Sequence, residues 1–236
     1  MKRNLIPAKT LACAAFVLAL SGPALMAQFT ININDSSFET ALATIPYSTT
    51  ISTQWRETFI NGNSAGELLG TSAMFDTVPV VPDGSYCLWI NNNFSSPQSV
   101  FQGLSDNLSA GDYTFTVWIG ERKDLGGGWA PSVGQFSLLA ANGANLSSAT
   151  VITPTSSTSP SLSAGQWAQF TKSYTIAPGN PLIGHQLVVE FTNPTLGNYE
   201  STFDKVQLTS SVPEPATAAT FLLGGAALVF ALRRRR

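Results

Sequence analysis

Between residues 113 and 119 the chain reads Tyr-Thr-Phe-Thr-Val-Trp-Ile, an alternation that suits one kind of local structure. In an extended strand successive side chains point to opposite faces, so Tyr113, Phe115, Val117 and Ile119 share one side and Thr114, Thr116 and Trp118 the other. A helix would scatter the same residues around its axis. Comparable short runs lie at 29–33, 56–60, 86–91, 99–104, 134–140, 169–176, 186–192 and 202–208, with Gly, Pro, Asn and Asp clustered between them. No stretch between the two ends of the chain has the apolar spacing of a long amphipathic helix. Many short strands broken by frequent turns predict an all-β body over residues 28–208, an antiparallel sandwich or barrel. The Ser-, Thr- and Pro-rich segment 153–163 is expected to be an exposed loop, and Thr209-Ser210-Ser211 a short linker.

The two ends follow different rules. Lys2, Arg3 and Lys9 precede an apolar run from Leu11 to Leu20, Gly22-Pro23 breaks it, and Leu25-Met26-Ala27 offers a cleavage site. Residues 1–27 therefore read as a signal peptide, with cutting after Ala24 as the alternative. At the other end, residues 209–215 lead through Pro213-Glu214-Pro215 into the apolar segment Ala216 to Leu232, followed by Arg233, Arg234, Arg235 and Arg236. As a helix, 216–232 spans roughly 26 Å, close to the hydrocarbon core of a bilayer. The four arginines are expected to stay cytoplasmic and leave the preceding body outside. This tail resembles the PEP-CTERM sorting signal of Gram-negative bacteria: a Pro-Glu-Pro motif, a membrane helix and a basic end, in that order. The resemblance implies passage across the inner membrane, brief anchoring there, and processing near Pro213-Glu214-Pro215 by an exosortase-type membrane protease. It implies a final place at the cell surface or in an extracellular matrix, among exopolysaccharide and biofilm.

Without its two ends the chain is strongly acidic. Five basic side chains remain, Arg56, Arg122, Lys123, Lys172 and Lys205, against thirteen Asp and Glu. Such a body has no electrostatic footprint for nucleic acid. Cys13 falls in the signal peptide, which leaves Cys87 with no intramolecular disulfide partner. In Tyr86-Cys87-Leu88-Trp89-Ile90 it reads as a small buried hydrophobe.

The body also resembles the galactose-binding-like jelly rolls of carbohydrate-binding modules. Asp35-Ser36-Ser37-Phe38-Glu39 matches their N-x-S-F-E opening, with Asp for Asn. Val81-Pro82-Asp83-Gly84-Ser85-Tyr86 matches their P-x-G-x-Y entry to a central strand. Phe101-Gln102-Gly103-Leu104 and Leu108-Ser109-Ala110-Gly111-Asp112-Tyr113-Thr114-Phe115 match a Q-x-L and L-x-A-G-x-Y-x-L pair, with Phe115 for Leu. Phe203-Asp204-Lys205-Val206-Gln207-Leu208 matches the closing F-D-x-V-x-L. The resemblance implies a jelly-roll β-sandwich in which Glu39 and Asp204 can hold a structural calcium through hard oxygen ligands. The alternative is that Asp204 caps a turn and Glu39 is a solvated charge.

Sugar binding by such a fold needs an exposed aromatic face with polar groups beside it. Arg122-Lys123-Asp124-Leu125-Gly126-Gly127-Gly128-Trp129 offers one: three glycines carry Trp129 on a loop, while Arg122 and Asp124 supply hydrogen bonds. The competing reading folds Trp129 back over an open end of the sandwich. The glycine run is not a phosphate loop, since no Lys-Ser/Thr follows it. No catalytic residues are assigned. His185 is the single histidine, which rules out a histidine metal cluster, and no Ser sits in a G-x-S-x-G elbow. Glu57, Glu67, Glu121 and Glu190 leave a carboxylate-pair glycosidase open. The expectation is thus an exported, non-catalytic protein that binds extracellular polysaccharide. The alternatives are a structural matrix protein without a small ligand and a glycoside-active enzyme.

Overall fold

A computed structural model describes residues 26–40, 48–49, 51–57, 65–92, 97–128, 130–143 and 148–213. The expected transmembrane helix 216–232, the basic cluster Arg233 to Arg236, most of the signal peptide, and Glu214 and Pro215 of the sorting motif lie outside the described residues. The compact body spans 28–211. Its strands are β1 (Met26–Ile31), β2 (Arg56–Glu57), β3 (Ala65–Leu69), β4 (Tyr86–Asn92), β5 (Gln98–Asn107), β6 (Gly111–Glu121), β7 (Ala130–Pro131), β8 (Gln135–Ala141), β9 (Thr150–Val151), β10 (Ser156–Thr158), β11 (Gln166–Ile176), β12 (Gln186–Asn193) and β13 (Tyr199–Pro213).

They form two sheets. The larger runs β10-β11-β6-β13-β4-β3, with β1 and β7 also paired to β13. The smaller runs β2-β5-β12-β8-β9. All pairings with a defined register are antiparallel except the short β7–β13 contact. The molecule is an all-β antiparallel sandwich of jelly-roll type, as the alternating runs predict.

The core lies between the sheets. Tyr113, Phe115, Val117 and Ile119 of β6 are buried there, opposite Leu187, Val189 and Phe191 of β12. Phe191 is the aromatic centre, with ring centroids 5.0 Å from Phe203, 5.4 Å from Trp55, 6.2 Å from Phe38 and 6.4 Å from Phe115. The Ala-Gly-x-Tyr turn has a local cause as well. Tyr113 Oη accepts the Ser109 N–H at 2.9 Å and donates to the Ser109 carbonyl at 3.1 Å, so the first inward side chain of β6 also closes the turn before it.

Four features depart from the sequence reading. β3 falls in a segment with no clear alternation; Ala65 faces the main core while Leu68 packs on the other side of the sheet. β1 starts at Met26, ahead of the expected end of the signal peptide at residue 27. The loop expected over 153–163 contains β10, an exposed three-residue strand paired to β11 through Ser156↔Ser173 and Thr158↔Thr171. Thr209, Ser210 and Ser211 are not a linker: β13 continues through them to Pro213, in register with Thr114, Tyr113 and Asp112. Polar composition hid this, because backbone pairing to a long neighbour sets strand length and side-chain polarity does not.

Because Phe191 of the smaller sheet packs on Phe115 and Phe203 of the larger one and on Phe38 and Trp55, Phe191→Ala should lower the unfolding free energy by about 3–5 kcal/mol in urea titration. Phe191→Leu should cost clearly less.

Candidate functional site

Alternation on the strands of the larger sheet gives it a second, outward face. Glu200, Thr202 and Asp204 of β13 point there, with Trp118 and Gly120 of β6, Cys87 and Trp89 of β4, and Trp167 of β11. Gly120 is required: a Cβ would meet Thr202 Oγ1 at 2.7 Å and the Trp167 ring at 2.8 Å. Its carbonyl accepts the Thr202 hydroxyl at 2.7 Å. The Cys87 thiol is fully buried, and burial pushes its pKa up, so it packs as a small apolar residue.

Segment 71–85 covers this face. Met74, Phe75, Val80 and Val81 pack on Leu68, Cys87, Trp89, Trp118 and Trp167. Phe75 stacks on Trp167 with centroids 4.7 Å apart, and Trp167 Nε1 donates to the Val80 carbonyl at 3.0 Å. Asp76 N donates to the Gly165 carbonyl at 2.7 Å, and the Asp76 carboxylate pairs with Lys123 Nζ. The sequence signal for this cover was an apolar set, Met74, Phe75, Val80 and Val81, inside a Pro- and Asp-punctuated stretch with no strand period.

Three of the sequence fragments converge at one edge of the cover. Glu39 Oε1 accepts the N–H groups of Ser85 and Tyr86 at 2.7 and 2.8 Å. Asp204 Oδ2 accepts the Asp83 N–H at 2.8 Å, and its Oδ1 accepts the Lys205 N–H at 2.6 Å. Gly84 stands between them at φ +67°, and a Cβ there would lie 2.2 Å from the Glu39 carboxyl. Two reasons therefore demand glycine at that position. Asp35, at φ 51°, accepts the N–H groups of Glu39 and Thr40 at 2.9 and 3.2 Å and so fixes the opening turn. Val206 N, past a register shift in β13, bonds the Ser36 carbonyl at 2.9 Å.

The fit of Glu39 and Asp204 to a calcium ion is partial. They are neighbouring oxygen donors of like charge, but each already receives two backbone N–H groups. Among the described residues no three acidic, His or Cys side chains group as a metal set.

Asp204 is fully buried, and burial raises its pKa from 3.8 to about 8, with Asp83 and Glu39 adding to the effect and its two backbone donors opposing it. A second buried acid, Glu67, faces the sandwich interior. Its Oε1 accepts the Ser52 N–H at 2.9 Å, while Oε2 has no partner. Burial raises its pKa from 4.5 to about 7.

The proposed sugar contacts divide. Arg122 Nε and Nη2 donate to the two Asp124 oxygens, both at 2.9 Å, and Nη1 donates to Glu200 Oε1 at 2.5 Å. Burial pulls the Arg122 pKa down, but hydrogen bonds and charge from Asp124 and Glu200 outweigh it. The same hydrogen bonds hold the Asp124 carboxyl below its usual range. Burial raises Glu200 and Arg122 only partly offsets it; the 2.5 Å contact identifies the pair as a charge-assisted bond. Arg122 and Asp124 thus pair with each other, and the Arg122 donors are engaged within the protein. Trp129 lies outside the described residues. Glu200 was not foreseen; the signal available was its period-two spacing with Asp204 in one strand. Trp55, Trp89 and Trp167 are packing residues, and Trp118 lies under the cover.

With the geometry in view, comparisons with known proteins become informative. Residues 29–209 match the HpiC1-like family, described as HpiC1 cyclase, and the chain belongs to that family. Residues 211–236 match the PEP-CTERM protein-sorting motif, which marks an exported protein handled by exosortase at the membrane. No curated protein matches. Among solved structures, the chain is similar to a Stig cyclase, Fisc, from Fischerella sp. TAU in complex with (3Z)-3-(1-methyl-2-pyrrolidinylidene)-3H-indole. Identity is 20%, coverage 80% of this chain and 100% of that one, and the TM-score 0.65. A Fischerella sp. TAU cyclase bound to 4-(1H-indol-3-yl)butan-2-one gives 20% identity, coverage of 79% and 99%, and a TM-score of 0.62. These likenesses establish the fold. The xylan-binding CBM22-1 domain of Paenibacillus barcinonensis Xyn10C is more distant, at 12% identity, coverage of 80% and 97%, and a TM-score of 0.45.

The two buried acids set a pH dependence. Each binds a proton in the folded state over a range where the unfolded chain has released it, from 3.8 to about 8 for Asp204 and from 4.5 to about 7 for Glu67. Folding then binds more protons than unfolding, so their contribution is complete at low pH and declines as pH rises through the folded values. Melting temperature should fall across that window, and Asp204→Asn should flatten the fall.

Proposed function

We propose that this protein is an exported surface or matrix protein that binds extracellular polysaccharide without transforming it, after inner-membrane anchoring and exosortase processing at Pro213-Glu214-Pro215. The observation that carries this reading is the Arg122 fork. One guanidinium is fixed by Asp124 on one side and by buried Glu200 on the other, at the root of the glycine loop that holds Trp129. Sugar recognition combines fixed polar groups with an aromatic face, and the sequence supplies Trp129 seven residues after Arg122. Cβ atoms at Gly126 and Gly127 would meet nothing within 4 Å, so the loop has open space around it. On a glycan array the full-length protein should bind at least one polysaccharide. Trp129→Ala and Asp124→Ala should each weaken that binding about tenfold with an unchanged melting curve. A folded protein that binds no polysaccharide would favour the structural matrix role.

Family membership and Asp204 together support a second reading, an acid-catalysed cyclase. A carboxyl with a pKa of about 8 is protonated at neutral pH and can donate. It lies on a tryptophan-lined floor, but segment 71–85 seals it at 0% exposure, so catalysis would require that segment to lift. Indole-bearing substrates of the kind bound by the Fischerella proteins are the probe. Turnover abolished by Asp204→Asn would replace the binding reading, and unchanged substrate would retire the cyclase reading.

Structural calcium between Glu39 and Asp204 is a separate proposal, supported by two carboxyl groups from distant segments meeting at the backbone of residues 83–86. Chelator should then lower the melting temperature of the wild type and not of Asp204→Asn. Equal curves with and without chelator would exclude it.

A further inference from the structure

The smaller sheet carries a concavity that neither reading uses. β12 and β5 slip out of register at one end: Gln186 faces Asn107, yet Val188 already faces Gly103. β5 carries two more residues than β12 across this stretch, and Gln186 Nε2 bonds the Leu104 carbonyl at 2.8 Å. Beside this slip, the start of β12 and the end of β8 border an open hollow of about 480 Å3. That lies within the range of about 300–1,000 Å3 typical of small-ligand clefts. The backbone around it is tied down: Leu108 N–H to the His185 carbonyl and Gly184 N–H to the Leu108 carbonyl are both 2.8 Å. Gly143 and Gly184, at φ +78° and +88°, face open space where a side chain would intrude.

Its chemistry is narrow. Ser105, Asn107, Asn142, His185 and Gln186 present hydroxyl, amide and imidazole groups, and Leu104 and Ala141 supply an apolar wall. No Asp, Glu, Lys or Arg lines it among the described residues. A phosphate or a uronate would find no cation here, while the Asp106 carboxylate, which accepts the Ser105 hydroxyl at 3.3 Å, would repel it. A molecule with many hydroxyls and apolar C–H faces suits this lining, where the Asn107 and Asn142 amides and the His185 imidazole can exchange hydrogen bonds with it and Leu104 and Ala141 offer apolar contact.

We propose that this pocket binds the end of an uncharged saccharide. It uses none of Arg122, Asp124 and Trp129, so it goes beyond the binding reading above and can fail or hold independently of it. His185 is the only histidine in the chain, so its imidazole resonances report on this pocket alone. The experiment takes the full chain in a detergent without a sugar headgroup and follows those resonances while maltose, cellobiose and xylobiose are titrated, with digalacturonate as the charged comparison. At least one neutral disaccharide should shift the imidazole signals to saturation. Asn107→Ala and Asn142→Ala should each weaken that binding about tenfold. Asp124→Ala and Trp129→Ala should leave it unchanged. The proposal is overturned if none of the three neutral sugars moves the signals. It is equally overturned if digalacturonate binds as tightly, or if both asparagine variants bind like the wild type.

Discussion

Two carboxyl groups gripping one turn organise this protein. Glu39 reaches across from the opening segment and Asp204 from the last long strand, and together they hold the backbone of residues 83–86. Asp83 and Asp204 are 121 positions apart, so this contact closes the chain into a sandwich in a way no local propensity could. It also decides where the cover ends. With residues 83–86 pinned, the preceding residues must cross the outward face of the larger sheet, where Met74, Phe75 and Val81 find the tryptophans.

That cover governs the choice between binding and catalysis. The HpiC1-like family includes proteins described as cyclases, and the fold here superposes on cyclases along most of its length. Yet in this chain Asp204, on the sheet's outer face, is buried beneath protein, and the accessible polar groups lie at the margins: Asp124 of the Arg122 fork and the hollow beside the β5 register slip. Family membership fixes the scaffold. What occupies the outer face determines what the scaffold can touch.

Much of the scaffold was legible because alternation is a strong signal where one strand face is buried. β6 declared itself through Tyr113, Phe115, Val117 and Ile119, all now in the core. The jelly-roll fragments were legible too, and the structure supplies their reasons: Gly84 makes room for a carboxylate, and Tyr113 ties its own turn. Less was legible at the site. Arg122 and Asp124 were found by local spacing, but Glu200 reaches them from 78 positions away, and sequence alone cannot bring such residues together. Glu39 and Asp204 were paired through a resemblance, which linked them to a metal. Their visible partners are backbone N–H groups, and those leave no trace in a sequence. The register slip at Gln186 was equally invisible, because a bulge depends on which strands meet.

β13 runs without interruption to Pro213, and the residue that opens the sorting motif is also the last of a strand seated between β6 and β4. Tension applied to the chain at Pro213 would therefore arrive along the axis of a central strand. The hydrogen bonds to β6, from Gln207↔Thr116 through Ser211↔Asp112, lie across that axis and would resist in shear, many at once. A handle joined at an edge strand would instead peel them apart one by one. The exit of β13 at Pro213 thus loads its ladder in shear and not in peeling.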